Sequence, residues 1–113
     1  MHEMALCESI LQILQDQAHT QGYQRVKAVR LEVGALSCVE KEALRFNFEV
    51  VTRASLADGA ALELIDVPGE GWCMPCARPV TVQTMLDECP HCGSSQVQVT
   101  GGDELQIKEL EVE

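Results

Sequence analysis

At 113 residues the chain is long enough for one domain, or for one domain carrying a small inserted module, and its 46% hydrophobic content excludes a wholly disordered polymer. The formal charge is −10 and no segment is basic, so the electrostatic footprint of a nucleic-acid binder is missing. No apolar run approaches the roughly 18 residues of a membrane span, and the first residues do not read as a secretory leader. The expectation is a cytoplasmic protein without a nucleic-acid or membrane partner, whose six cysteines are not three disulfides.

In chain order, Met4, Cys7, Leu11, Leu14 and Ala18 recur every three or four residues, which predicts an amphipathic helix stopped by Gly22. VKAVRLEVG follows, with Val29, Leu31 and Val33 alternating against Ala28, Arg30 and Glu32, as in a strand with one buried face. Ser37 stands three residues before Glu40, the spacing of a capping box. Val39, Ala43, Phe46 and Val50 then predict a second helix over about 38–52. TRASLADG reads as loop and ALELIDV as a second strand.

At Pro68-Gly69 the texture changes. From there to Gly102 lie all four prolines, several short strand-like pieces and four of the six cysteines. DELQIKELEVE then returns to strand character, with a phase slip at Lys108-Glu109 that predicts a β-bulge. The expected fold class is α+β: a small mixed sheet of about three strands packed with two helices, plus an inserted zinc-ribbon-like module. The expected division is 1–68 with 103–113 as one domain and 69–102 as the insertion.

The strongest chemical signal is CMPCARPVTVQTMLDECPHC, which sets Cys73, Cys76, Cys89 and Cys92 in two CxxC pairs. A CxxC turn aims both thiolates at one point, and two turns supply the tetrahedral four-sulfur shell that zinc prefers. A module of about 30 residues cannot bury enough apolar surface to fold unaided, so the metal would supply the missing stability. Thiol redox chemistry would need exposed, low-pKa thiols in a thioredoxin-like βαβ setting, and that setting is absent. His91, inside the second pair, is expected beside the metal rather than on it. Cys7 and Cys38 read as small buried hydrophobes, and His19 as a solvated residue near a helix C-terminus.

The start MHE raises a second metal question. The α-amine of Met1, the amide nitrogen of His2 and the His2 imidazole together make a planar nitrogen donor set suited to Ni(II) or Cu(II). An accidental histidine is the competing reading, and the residues alone leave both open.

The start MHEMALCESI, the stretch VRLEVGALSCVE, the two CxxC pairs and the return strand DELQIKELEVE together resemble the HypA/HybF family of nickel metallochaperones for [NiFe]-hydrogenase maturation. The resemblance runs through essentially the whole chain. It implies a nickel site centred on His2, with Met1 and Glu3 helping, and a structural zinc at Cys73, Cys76, Cys89 and Cys92. It also implies Ni(II) as transient cargo, with the GTPase HypB and the hydrogenase large subunit as partners and urease as a further client in some members. Glu40 falls where some relatives carry an acidic residue near nickel, although helix capping explains it equally. Some relatives also carry histidines next to their CxxC pairs that tune zinc coordination with pH; here only His91 is available, which puts such a response in doubt.

The expected activity is binding and transfer, not catalysis. The alternative is a zinc-ribbon protein–protein adaptor without nickel delivery. The chain is expected to be a monomer or a weak, strand-swapped homodimer.

Overall fold

A computed structural model describes residues 3–113; the expectations for Met1 and His2 lie outside the described residues. Two helices and six strands follow in the order α1 (Glu3–Gln21), β1 (Val26–Gly34), α2 (Lys41–Val51), β2 (Ala61–Val67), β3 (Gly69–Cys73), β4 (Arg78–Val82), β5 (Val97–Gly101) and β6 (Leu105–Val112). The strands make two three-stranded sheets, ordered β2-β1-β6 and β4-β3-β5, which with the two helices is the expected α+β class.

Hydrogen bonds at the strand ends give the first sheet its directions. Glu113 N donates to Arg25 O at one end of the β1–β6 pair and Gly34 N to Glu104 O at the other, so these strands run antiparallel. Ala35 N donates to Val67 O, joining the C-terminal ends of β1 and β2, as a parallel βαβ unit through α2 requires. The sheet is therefore mixed. As its central strand, β1 buries residues on both faces: Val29, Leu31 and Val33 on one, Val26 and Ala28 on the other. Alternation alone had left Ala28 on an open face. In β6, Ile107 and Leu110 are half-buried, with exposed Lys108 and Glu109 between them inside one unbroken strand. That is the phase slip seen in the sequence.

The chain divides into two compact units. The first comprises 1–31, 39–64 and 107–113. Its α1 buries Cys7, Ile10 and Leu14, a stripe at helical spacing, and leaves Met4 and Ile13 exposed. Gly22, at φ 80°, ends the helix by donating its N–H to Ala18 O at 2.9 Å, a left-handed cap that glycine adopts without strain. In α2 the buried pair is Leu44 and Phe48, one turn apart, while Phe46 is 65% exposed. The expected face through Phe46 is corrected by about one residue, because packing follows the Leu44–Phe48 row.

The start of α2 is corrected too. Cys38 has φ 61°, a left-handed conformation that cannot begin an α-helix, so the helix starts at Lys41 and not near residue 38. The N-cap is Glu40, whose carboxylate accepts from Glu42 N at 3.1 Å. Ser37 is no cap: its hydroxyl donates to Gly34 O at 2.7 Å and closes the turn after β1.

The second unit comprises 32–38 and 65–106. Its sheet pairs β3 antiparallel with both β4 and β5, with an irregularity at Glu70/Gly71 on the β5 side. Its core holds Cys73, Val80, Val82 and Cys89, joined by Leu36 from the turn after β1. Burying one leucine side chain contributes about 1.5–3 kcal/mol, which is large for so small a core. The backbone holds Leu36 there through its N–H to Gly102 O at 2.8 Å. The chain passes so closely here that a Cβ on Gly34 would lie 2.2 Å from Gly102 O, and one on Gly102 would lie 2.3 Å from Pro68 O. Only glycine fits either place.

Candidate metal centre

The CxxC pairs lie in two turns of the second unit. Cys73 ends β3 opposite Arg78, and residues 74–77 turn the chain into β4 with Ala77 at φ 51°. The second turn, Cys89 to Cys92, closes with Gly93 at φ 74°: Gly93 N donates to Cys89 O at 2.9 Å, and Cys89 N to Ser94 O at 2.8 Å. Both turns are the same device, a tight loop whose exit residue takes a left-handed conformation. One uses glycine for that exit and the other uses alanine.

The two turns bring their thiols together. The four sulfurs lie within 4.8 Å of one another, with Cys73 and Cys92 Sγ 3.6 Å apart and Cys76 and Cys89 Sγ 4.0 Å apart. A tetrahedron of zinc–sulfur bonds of about 2.3 Å has edges of about 3.8 Å, so these two separations lie on either side of the ideal. None of the six cysteines is in a disulfide. The four-sulfur donor set fits Zn(II) in both softness and geometry.

Backbone amides aim at this cluster. The Cys89 thiol is pulled down to about 6, chiefly by the backbone N–H of Cys92 and, against burial, also by that of His91, which lies 3.4 Å from the sulfur. Cys76 is pushed up to about 12 by its hydrogen bonds with the Cys92 and Cys73 thiols. A bound cation would ionise all four, and the amides would then stabilise the thiolate charge. Cys73 and Cys89 are buried, Cys76 is half-buried and Cys92 exposed, so the cluster opens to solvent on the Cys92 side.

His91 is exposed and stands outside the sulfur cluster. Arg78 donates to its Nε2 at 2.7 Å, which leaves Nδ1 to carry the ring proton. Of the other two cysteines, Cys7 is buried against Leu44 O at 3.5 Å and its thiol is pushed up to about 11, first by burial and then by the Glu3 charge. Cys38 is exposed, contrary to the expectation of a buried hydrophobe, because its left-handed backbone turns the side chain out of the β1–α2 turn. His19 is exposed in the last turn of α1, as expected.

Of the nickel residues implied by resemblance, Glu3 is described. It opens α1, and its carboxylate accepts from Glu40 N at 3.5 Å. The acidic side chain behind His2 thus stands at the entrance to α2, against the backbone of a residue 37 positions away in sequence. Sequence spacing alone carried no signal for that juxtaposition.

Known proteins are similar to this chain along its full length. A family described as "Hydrogenase/urease nickel incorporation, metallochaperone, hypA" matches residues 1–112. A protein of Acidithiobacillus ferrooxidans named hydrogenase maturation factor HypA is 56% identical over 113 residues, covering all of both chains. Proteins of the same name from Azotobacter chroococcum and Azotobacter vinelandii are 56% and 53% identical, again over the whole of both chains. Among solved structures, the solution structure of the Ni metallochaperone HypA from Helicobacter pylori superposes with a TM-score of 0.74 at 24% identity. That match covers 99% of this chain and 97% of the other, and it shows a shared fold.

Proposed function

The chain belongs to the HypA family of hydrogenase and urease nickel-incorporation metallochaperones, and we propose that it holds Ni(II) in transit at a site centred on His2, with Met1 and Glu3 contributing. Membership makes it a metal carrier in hydrogenase maturation, not an enzyme. Within that role, Cys73, Cys76, Cys89 and Cys92 hold a resident zinc, and the observation that carries this assignment is the convergence of their four sulfurs within 4.8 Å of one another. The zinc is structural. It ties the β3–β4 turn to the loop before β5 and substitutes for the core that so short a segment lacks.

Nickel is cargo, so its ligands must release it. Nitrogen donors at a chain end can be exchanged one at a time, which suits handover to a deeper site. Support for the placement comes from the MHE start, from the full-length family match and from Glu3 lying at the head of α1. The division into a nickel-binding domain of 1–68 with 103–113 and a zinc module of 69–102 belongs to the same proposal. So do delivery in the cytoplasm and partnership with the GTPase HypB and the hydrogenase large subunit. Among the described residues no helix is long and apolar enough to cross a membrane.

The test uses untagged protein that begins at Met1. His2→Ala should abolish specific nickel binding in calorimetry while leaving one zinc per chain and an unchanged far-UV spectrum. Adding Gly before Met1 keeps every side chain but moves the α-amine away from the imidazole. Its nickel affinity and planar Ni(II) absorption band should both fall. Unchanged affinity in the extended chain removes the amine from the ligand set. Unchanged affinity in His2→Ala overturns the site. If zinc stays bound while nickel is never bound, the adaptor reading replaces delivery.

A further inference from the structure

The loop between β4 and the second CxxC turn, Gln83–Glu88, belongs to neither helix nor strand, yet its polar groups are hydrogen-bonded to one another. The Asp87 carboxylate accepts from Gln83 N at 2.7 Å and from the Thr84 hydroxyl at 2.6 Å. Thr84 Oγ1 in turn accepts from Leu86 N at 3.3 Å, and Thr84 O accepts from Asp87 N at 3.3 Å. The result is a fixed loop that presents two large apolar side chains outward: Leu86 is 93% exposed and Met85 54%. A hydrophobic side chain this exposed on a self-locked loop stabilises nothing in the chain that carries it.

Beside these two residues runs an apolar groove of about 300 Å³, lined by Ala35, Leu36, Cys38, Thr84, Met85 and Leu86. All of its lining lies within the second unit. That unit carries seven acidic residues and one base, a formal −6, and the base, Arg78, is already hydrogen-bonded to His91. With the zinc of the proposed function in place, the four-thiolate site adds a further formal −2. Two copies of such a surface repel one another, so a second copy of this chain is a poor occupant. A complementary partner offers an apolar side-chain cluster flanked by lysine or arginine.

We propose that the Met85–Leu86 loop and its groove form a preformed docking site for a basic amphipathic segment of a partner protein. The locked loop lowers the ordering cost of binding. Leu86 and Met85 serve as the apolar anchors, and the net negative charge of the unit speeds encounter and selects the partner by charge.

The experiment titrates zinc-loaded, nickel-free full-length protein with a synthetic Leu/Lys amphipathic peptide, read by amide chemical shifts and calorimetry. A Leu/Glu peptide of the same pattern is the control. The expected result is saturable shifts at Ala35–Cys38 and Met85–Leu86, weakening with salt, and no binding of the Leu/Glu peptide. Leu86→Ser leaves the charge unchanged and should weaken binding about tenfold or more, the loss expected for one buried leucine. Met85→Ser should do so to a lesser degree. Equal binding by Leu86→Ser, equal binding of the Leu/Glu peptide, or shifts confined to other residues each overturns the proposal. A native dimer that Leu86→Ser dissociates makes a second copy the occupant and overturns it as well. Zinc content is measured on the same samples. Loss of the groove only in zinc-depleted protein bears on the zinc assignment, while failure in fully loaded protein bears on docking alone.

Discussion

The carboxylate of Glu3 accepts the backbone N–H of Glu40 at 3.5 Å, which binds the first residue of α1 to the N-cap of α2. The side chain of Glu40 is itself occupied, accepting from Glu42 N. One residue therefore receives the end of one helix and starts the other. Glu40→Ala should cost about 1 kcal/mol of stability through the lost cap, read as a lowered Tm. Glu40→Asn restores a capping oxygen without the charge and should recover most of that loss. If nickel affinity falls in both variants, the Glu40 charge matters to the metal. If it falls in neither, Glu40 is a cap alone.

Zinc removal tests the organisation of the chain. Cys73→Ser, or chelation of the native protein, should unfold the second unit while α1 and α2 keep their helical signal. Far-UV circular dichroism and limited proteolysis provide the measurement, with cuts expected within 69–102 and the flanking pieces still associated. Complete loss of helical signal on zinc removal argues against separately stable cores.

Gly34 is the sharpest steric test. Its Cβ would fall 2.2 Å from the carbonyl of Gly102 and 2.9 Å from Asp103 N, both backbone atoms that cannot rotate away. Gly34→Ala should lose more than the roughly 1–3 kcal/mol typical of overpacking. Gly22→Ala, where a Cβ meets nothing within 4 Å, should lose only the roughly 1 kcal/mol of a left-handed cap. Thermal melts of the two variants side by side separate close approach from backbone preference.

Arg30 sets the acid response of the first unit. It lies among Glu63, Glu109 and Glu111, with Nη2 2.9 Å from Glu111 Oε1. The Glu111 carboxyl is held below the usual carboxylate range, first by that hydrogen bond, then by the charges of Arg30 and Lys27. A folded-state pKa below the unfolded value gives stability that is present above about pH 4.5 and is lost as pH falls through the folded value. Arg30→Gln should therefore lower Tm modestly at pH 7 and converge with the parent protein below about pH 4.5, the difference kept small because the carboxylates are exposed and screened. An acid limb as steep in Arg30→Gln as in the parent protein would show that Glu111 contributes nothing to it.

The cysteine cluster was legible in the sequence because a CxxC turn is a local object: two thiols three positions apart converge whatever surrounds them. The extent of α1 was legible for a similar reason, since a 3.6-residue period and a terminal glycine act within a few residues of themselves. In α2 the local signals competed. Capping-box spacing puts Ser37 at the cap and Glu40 in the first turn, and the left-handed backbone at Cys38 moves the cap to Glu40 itself. Burial could not be read locally at all. Phe46 and Phe48 are chemically identical, yet one is exposed and the other buried, because the groups that cover Phe48 come from elsewhere in the chain. Leu36 lies in a turn between a strand and a helix but is buried beside Cys73, Val80, Val82 and Cys89. Its place depends on Pro68, Gly69 and Gly102 arriving at the same point, a meeting of segments more than 30 residues apart. The exposure of Leu86 belongs to the same class. By composition it reads as one more apolar residue, yet it lies exposed on a loop whose hydrogen bonds close through Asp87. Spacing determined which atoms can bind metal, because ligand geometry is local. Tertiary structure decided what is covered and what is presented, because burial is a property of the segments that happen to pass.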